Sequence, residues 1–234
     1  MLNDRQLIEI ETETLFIHDH NQRLQSHNDP TGPKRIAPRF YLGRTKAGNI
    51  RHFRHDLPDE IVRQLDEIFA LEPIAINLRD RPVHFERFKD ILQTHETVQR
   101  AGMGLAYRFP DEIKRPANVV RITRENAELL RDGFSDTIPE LDFVQPCMAI
   151  VEDGRAVSLC QSVRLSPQGH EAGLETLEAY RRRGYATAVV AGWAAAVRDL
   201  GLIPFYSTEL GNVASQGVTQ KLGLVIYGAD LSVT

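Results

Sequence analysis

The segment Tyr180-Arg181-Arg182-Arg183-Gly184-Tyr185-Ala186-Thr187 constrains this chain more than any other. A strand-like stretch, 172–177, comes before it and ends at Leu177. A long helical run, 184–200, follows it and stops at Gly201. The first turn of a helix leaves backbone N–H groups unpaired and carries positive potential, so it suits a phosphate. Gly184 and Ala186 are small where a phosphate would approach the backbone closely, and three arginines stand beside that point. A strand-to-helix turn with a solvated basic rim would look the same, so the segment alone leaves both readings open.

The surrounding pattern places this junction in a mixed α/β sheet. Two short strands, 148–152 and 156–163, flank Asp153-Gly154, a strong hairpin signal. Strands are also expected at 118–123, 204–208 and 224–233, and helices at 124–134 and 213–222. In the long helix, Ala186, Val189, Val190, Trp193, Val197 and Leu200 form a wide apolar face, with Trp193 a core residue. Ala191, Gly192, Ala194 and Ala195 are small enough for close packing on a sheet.

A second block lies downstream, Asn212-x-Ala214-Ser215 and then Lys221-Leu222-Gly223-Leu224. The Arg181-x-x-Gly184-x-Ala186 spacing and this second block, with a helix and a strand between them, resemble the signatures of the GCN5-related N-acetyltransferases (the GNAT family). Leu224 stands where that family usually has phenylalanine. The resemblance covers about half of the chain, residues 117–234. It implies a GNAT-type mixed sheet flanked by helices and splayed between strands 172–177 and 204–208, with acetyl-CoA as cosubstrate. Arg181, Arg182, Arg183, Gly184, Tyr185, Ala186 and Thr187 would hold the pyrophosphate. Leu177, Asn212 and Ser215 would lie along the pantetheine arm.

Acetyl transfer to an amine needs a neutral nucleophile, yet a free alkylamine has a pKa of ~10. A base or a desolvating pocket must therefore remove a proton. His170, Glu171 and Glu175 lie on the strand that faces the cofactor. Glu171 and Glu175 are four apart and share a face of a regular strand, while His170 takes the other. A bulge would scramble that parity. The family often has a glutamate early in this strand, which puts Glu171 first, Glu175 second and His170 third. A donor must also serve the leaving sulfur, and many relatives use a tyrosine where this chain has Thr219. Ser215, Tyr206 and Tyr227 remain as candidates.

Residues 1–110 hold no comparable motif and read as a smaller α+β region. A helical pattern over 2–24 and a Pro-rich linker at 26–38 come first. A hairpin at 39–53, helices from Asp56 toward Pro73 and over 85–100, and a strand at 101–109 follow. The stretch 110–116, with two prolines, marks the expected boundary. The region could complete the substrate pocket, pair two copies as a homodimer, or be a degenerate second copy of the fold. Residues 1–116 carry 14 arginines against 4 lysines and seven of the eight histidines. That fits a salt-bridged surface, or an anion-recognising face, since guanidinium forks suit carboxylate and phosphate. His52 and His55 point to opposite sides of a strand, so one metal ion with Asp56 is not expected.

The net charge of −4 and pI near 6.1 give no support for nucleic-acid binding. No apolar run is long enough to span a membrane, and a cytoplasmic location is expected. Cys147 and Cys160 read as buried hydrophobes and not as a disulfide or an acyl carrier. The expected activity is direct transfer of acetyl to a small-molecule amine, in a ternary complex and without a metal. Two alternatives stay open: a non-catalytic coenzyme A-binding sensor or assembly module, and a protein N-acetyltransferase.

Overall fold

The computed structural model describes residues 2–234. In chain order the elements are α1 (Asp4–Leu15), β1 (Phe16–His18), β2 (Leu24–His27), β3 (Phe40–Thr45), β4 (Gly48–Phe53), α2 (Asp59–Phe69), α3 (Phe85–His95) and β5 (Ala101–Arg108). After these come β6 (Val120–Arg121), β7 (Cys147–Glu152), β8 (Arg155–Leu165), β9 (Gly169–Thr176), α4 (Tyr185–Asp199), β10 (Ile203–Glu209), α5 (Val213–Leu222) and β11 (Val225–Val233).

Nine strands form one sheet in the order β4-β3-β11-β5-β10-β9-β8-β7-β6, and β1 pairs with β2 alone. The expected boundary at 110–116 does join β5 to β6, but the sheet runs through both sides of it. β5 is hydrogen-bonded to β10 on one edge and to β11 on the other. The first half thus supplies β3, β4 and β5 to the sheet that carries the C-terminal motifs.

Alternation along the strands sorts the helices onto two faces. Leu105, Tyr206 and Ala229 pack under α4 and α5, while Leu42, Leu231 and Val233 pack under α2 and α3. On the opposite face Ala106, Phe205 and Tyr227 meet Leu7, Ile8 and Ile10 of α1. Tyr227 reaches that face because a bulge interrupts the β11–β5 register between Ile226 and Gly228. Leu130, Phe134 and Leu141 cover the same face at the β7–β8 end.

Local sequence accounts for most termini. Asn3 and Gln6 form a capping box that opens α1. Asp153 (φ 48°) and Gly154 (φ 76°) make the two-residue turn between β7 and β8. Gly223 ends α5 in the left-handed conformation at φ 66°.

Several expectations need correction. The helix expected over 124–134 is a kinked 3₁₀ turn, Arg124–Leu130, capped by Thr123. The strand expected at 118–123 is two residues long. The helical pattern at 2–24 stops at Leu15, and the chain turns back as β1 and β2. α3 ends at His95, where Arg39 donates to the carbonyls of Leu92 and Glu96. Trp193 is fully buried as expected, but Leu200 is exposed because it lies past the end of α4. Cys147 and Cys160 are free and buried on β7 and β8.

Candidate functional site

β9 and β10 run parallel, and their register holds only from Gly169↔Ile203 to Glu171↔Phe205. Past Glu171 the two strands part. A cavity of about 1350 Å³ lies in the opening, with walls from both faces of the sheet. On the α4–α5 face it reaches Arg181, Arg182, Gly184, Tyr185, Ala186, Thr187, Asn212 and Ser215. On the α1 face it reaches Glu171, Ser207, Asp230, Tyr41 and Arg164.

At one end stands the N-terminus of α4. Gly184 has φ +85°, a left-handed conformation that favours glycine, and a β-carbon there would meet open space. No side chain among the described residues caps the helix, so its first N–H groups face outward uncompensated. Arg181 and Arg182 line the cavity here, and Arg182 itself sits at φ 64°. Arg183 turns away, donating to the Ala179 carbonyl and lying 4.9 Å over the Tyr180 ring. Leu177 also falls outside the cavity. Its side chain packs in the cluster of Leu130 and Phe134, and its N–H donates to the Val157 carbonyl.

Along the α5 wall, Asn212 accepts from the Ser215 N–H at 3.0 Å, and so caps the helix. The Ser215 hydroxyl lies 2.7 Å from the Tyr206 hydroxyl. Burial pushes the Tyr206 phenol up to about 12, so it keeps its proton through the neutral range. Thr219 points away from the cavity and donates to the Gln216 carbonyl. Tyr227 is excluded as a donor at this site because its hydroxyl is committed to Glu11 at 2.7 Å, beneath α1.

At the fork itself sits Glu171, 5% exposed. Its Oε1 accepts from the Ser207 N–H at 2.9 Å and the Ser207 hydroxyl at 2.7 Å, while its buried Oε2 has no partner among the described residues. Burial raises its carboxyl to about 7, against the pull of the two Ser207 hydrogen bonds. Glu175 lines the same cavity, exposed and nearer the α4 end. His170 takes the other face, where its Nδ1 lies 3.0 Å from the Ser162 hydroxyl and that hydroxyl accepts from Trp193. The expected parity holds, because the bulge lies on the partner strand β8, between Ser162 and Arg164.

Sequence reasoning missed other carboxylates. Asp230 lines the cavity from β11, and burial raises it to about 6. Gly104 on β5 makes room for it, since a β-carbon there would come 2.4 Å from Asp230 Oδ1. Glu11, 1% exposed on α1, is likewise raised by burial and by the neighbouring Glu171 charge. The one available signal was the acidic residue inside the apolar pattern of β11. Among the described residues no cluster of His, Cys, Asp and Glu is arranged to hold a metal ion. His52 pairs with the His18 ring at 5.2 Å, and His55 lies past the end of β4 with its Nδ1 by the Leu24 carbonyl.

Residues 147–228 match the family model described as GNAT acetyltransferase, consistent with a C-terminal domain of that type. No curated protein matches the chain. Among solved structures it is similar to a GCN5-related N-acetyltransferase-like protein from Streptococcus suis, at 18% identity, 85% coverage of both chains and a TM-score of 0.49. It is also similar to a GNAT-family acetyltransferase from Colwellia psychrerythraea, at 13% identity, 65% coverage of this chain, 62% of that one and a TM-score of 0.46. An aminoglycoside N-acetyltransferase solved with coenzyme A aligns at 18% identity over 45% of this chain and 89% of its own, with a TM-score of 0.37. The chain spans less than two thirds of the length of several solved structures that it resembles.

Proposed function

We propose that this protein transfers an acetyl group from acetyl-CoA to the amine of a small molecule, directly within a ternary complex. One observation carries the reading. A buried carboxylate, Glu171, stands where β9 and β10 part, in a cavity continuous with the uncapped start of α4.

The residues present fit the cosubstrate. The open space at Gly184, the unpaired N–H groups of Tyr185, Ala186 and Thr187, and the Arg181 and Arg182 guanidinia would hold the pyrophosphate. The edge of β9 beyond Glu171 has no β10 partner and would take the pantetheine amides. Acetyl-CoA, when bound, supplies the acetyl group as a thioester.

The chain's own groups then meet the two chemical needs. Glu171, with its carboxyl near 7, accepts a proton from the acceptor ammonium, and its Oε2 is left open for that contact. Asp230 adds negative charge on the same face and favours entry of a cationic amine. Tyr206, hydrogen-bonded to Ser215, holds a proton for the departing sulfur. Neither cysteine can carry the acetyl group. Both lie outside the cavity, and burial raises both thiols above their ordinary range. Leu15 of α1, Tyr41 of β3 and Gly104 of β5 wall the acceptor side, and this supports a small substrate over a protein segment.

The test is thiol release from acetyl-CoA over a panel of amines, in the wild type and in Glu171→Gln. The wild type should turn over at least one amine. The variant should be slower by about 10²–10⁴-fold, with acetyl-CoA affinity unchanged. A fully active variant would remove Glu171 from the base role.

A further inference from the structure

The acceptor end of the cavity is not uniformly acidic. Arg164 lies on β8 directly across from Glu171 in the strand register. Its guanidinium pairs with Asp29 at 2.7 Å, and Arg35 pairs with the same Asp29 at 2.9 Å. Two guanidinium charges thus share a single carboxylate. Both arginines line the cavity, while Asp29 stands behind them outside its wall. Neither arginine makes another direct ion pair among the described residues, although the Glu171 carboxyl across the strand pair acts on Arg164.

The third member of this wall is His27. Burial, with help from Arg35 and Arg164, lowers its imidazole to about 4, so it is neutral and adds no competing charge. The Phe16 ring packs on it at 5.1 Å and on Tyr41 at 5.3 Å, closing the wall with apolar surface. The wall therefore presents two guanidinia that share one carboxylate, beside aromatic rings and across one strand pairing from the proposed base. An anionic group attached to the amine would be held by guanidinium forks, which suit a carboxylate.

We propose that the acceptor carries a carboxylate as well as its amine, as an amino acid does, and that Arg35 and Arg164 bind that carboxylate. The assignment of the amine to Glu171 rests on the acetyltransferase reading above, but the carboxylate site can be measured without turnover.

The experiment is titration of the full chain, with and without coenzyme A, using N-acetyl derivatives of the common α-amino acids and of β- and γ-amino acids. Each acid is compared with its methyl amide, which keeps the shape and removes the charge. At least one acid should bind about tenfold or more tightly than its amide, as expected for charge-assisted hydrogen bonds. Arg35→Gln, at the exposed rim, should erase most of that preference. Arg164→Lys, which keeps the charge but not the fork, should weaken it. Equal binding of acids and amides across the panel, or an acid preference unchanged in both variants, would overturn the proposal. An acid preference in a chain that fails to bind coenzyme A would sink the acetyltransferase reading and leave this site standing.

Discussion

Glu171 is held above the ordinary carboxylate range because it is 5% exposed, and the two Ser207 hydrogen bonds only partly offset that burial. This shift fixes a sign. Below 4.5, its ordinary value, the carboxyl is protonated in both folded and unfolded chains and costs nothing. Between 4.5 and about 7 the unfolded chain loses the proton while the folded one keeps it, so stability falls as pH rises. Glutamine at this position cannot titrate. Denaturant unfolding should therefore show Glu171→Gln gaining on the wild type across that window, with the difference flat above it. Parallel stability curves would mean that the site is wetter than its burial implies. In the proposed reaction Glu171 acts as base only when ionised, so the rate of that reaction should rise through about 7.

α1 packs on the sheet beside the opening between β9 and β10 and adds Leu15 to its wall. Its Ile8 is fully buried and seats against Gly43 and Gly228, where a β-carbon would come within 2.9 and 3.0 Å of it. Ile8→Ala should cost about 2–5 kcal/mol by chemical denaturation. A loss below 1 kcal/mol, on the order of a solvent-facing change, would show that α1 is not seated as described. Elements with strong local periodicity were legible in the sequence: α4, α5, β10, β11 and the β7–β8 hairpin. The arginine-rich segment and Glu171 were legible because motif and strand parity agreed. Asp230, Arg164, Arg35 and Glu11 were not, because only strand pairing across most of the chain brings them together. In the first half Arg51 pairs with Asp66 and Arg63 with Glu60 on the surface, while Arg35 reaches the cavity. Nothing local marked residues 16–27 as a hairpin, since its strands are three and four residues long.

At the scale of the molecule, one sheet joins what the sequence divides at 110–116. β5 fills the position between β10 and β11, so a fragment of residues 117–234 would lose one hydrogen-bonded neighbour of β10 and both neighbours of β11, which pairs with β3 on its other edge. Calorimetry of the full chain should show a single unfolding transition, and two separable transitions would contradict a shared core. The continuous sheet also brings Tyr41 and Gly104 of the first half into the same cavity as Arg181 and Asn212 of the second. The central claim, that the cavity from α4 to Glu171 is an acetyl-CoA site, is tested most directly by calorimetric titration with acetyl-CoA. The wild type should bind. Gly184→Glu should not, because it places bulk and negative charge in the open space at the start of α4, where the pyrophosphate would sit. Absence of binding in the wild type, or equal affinity in a folded Gly184→Glu variant, would contradict the account.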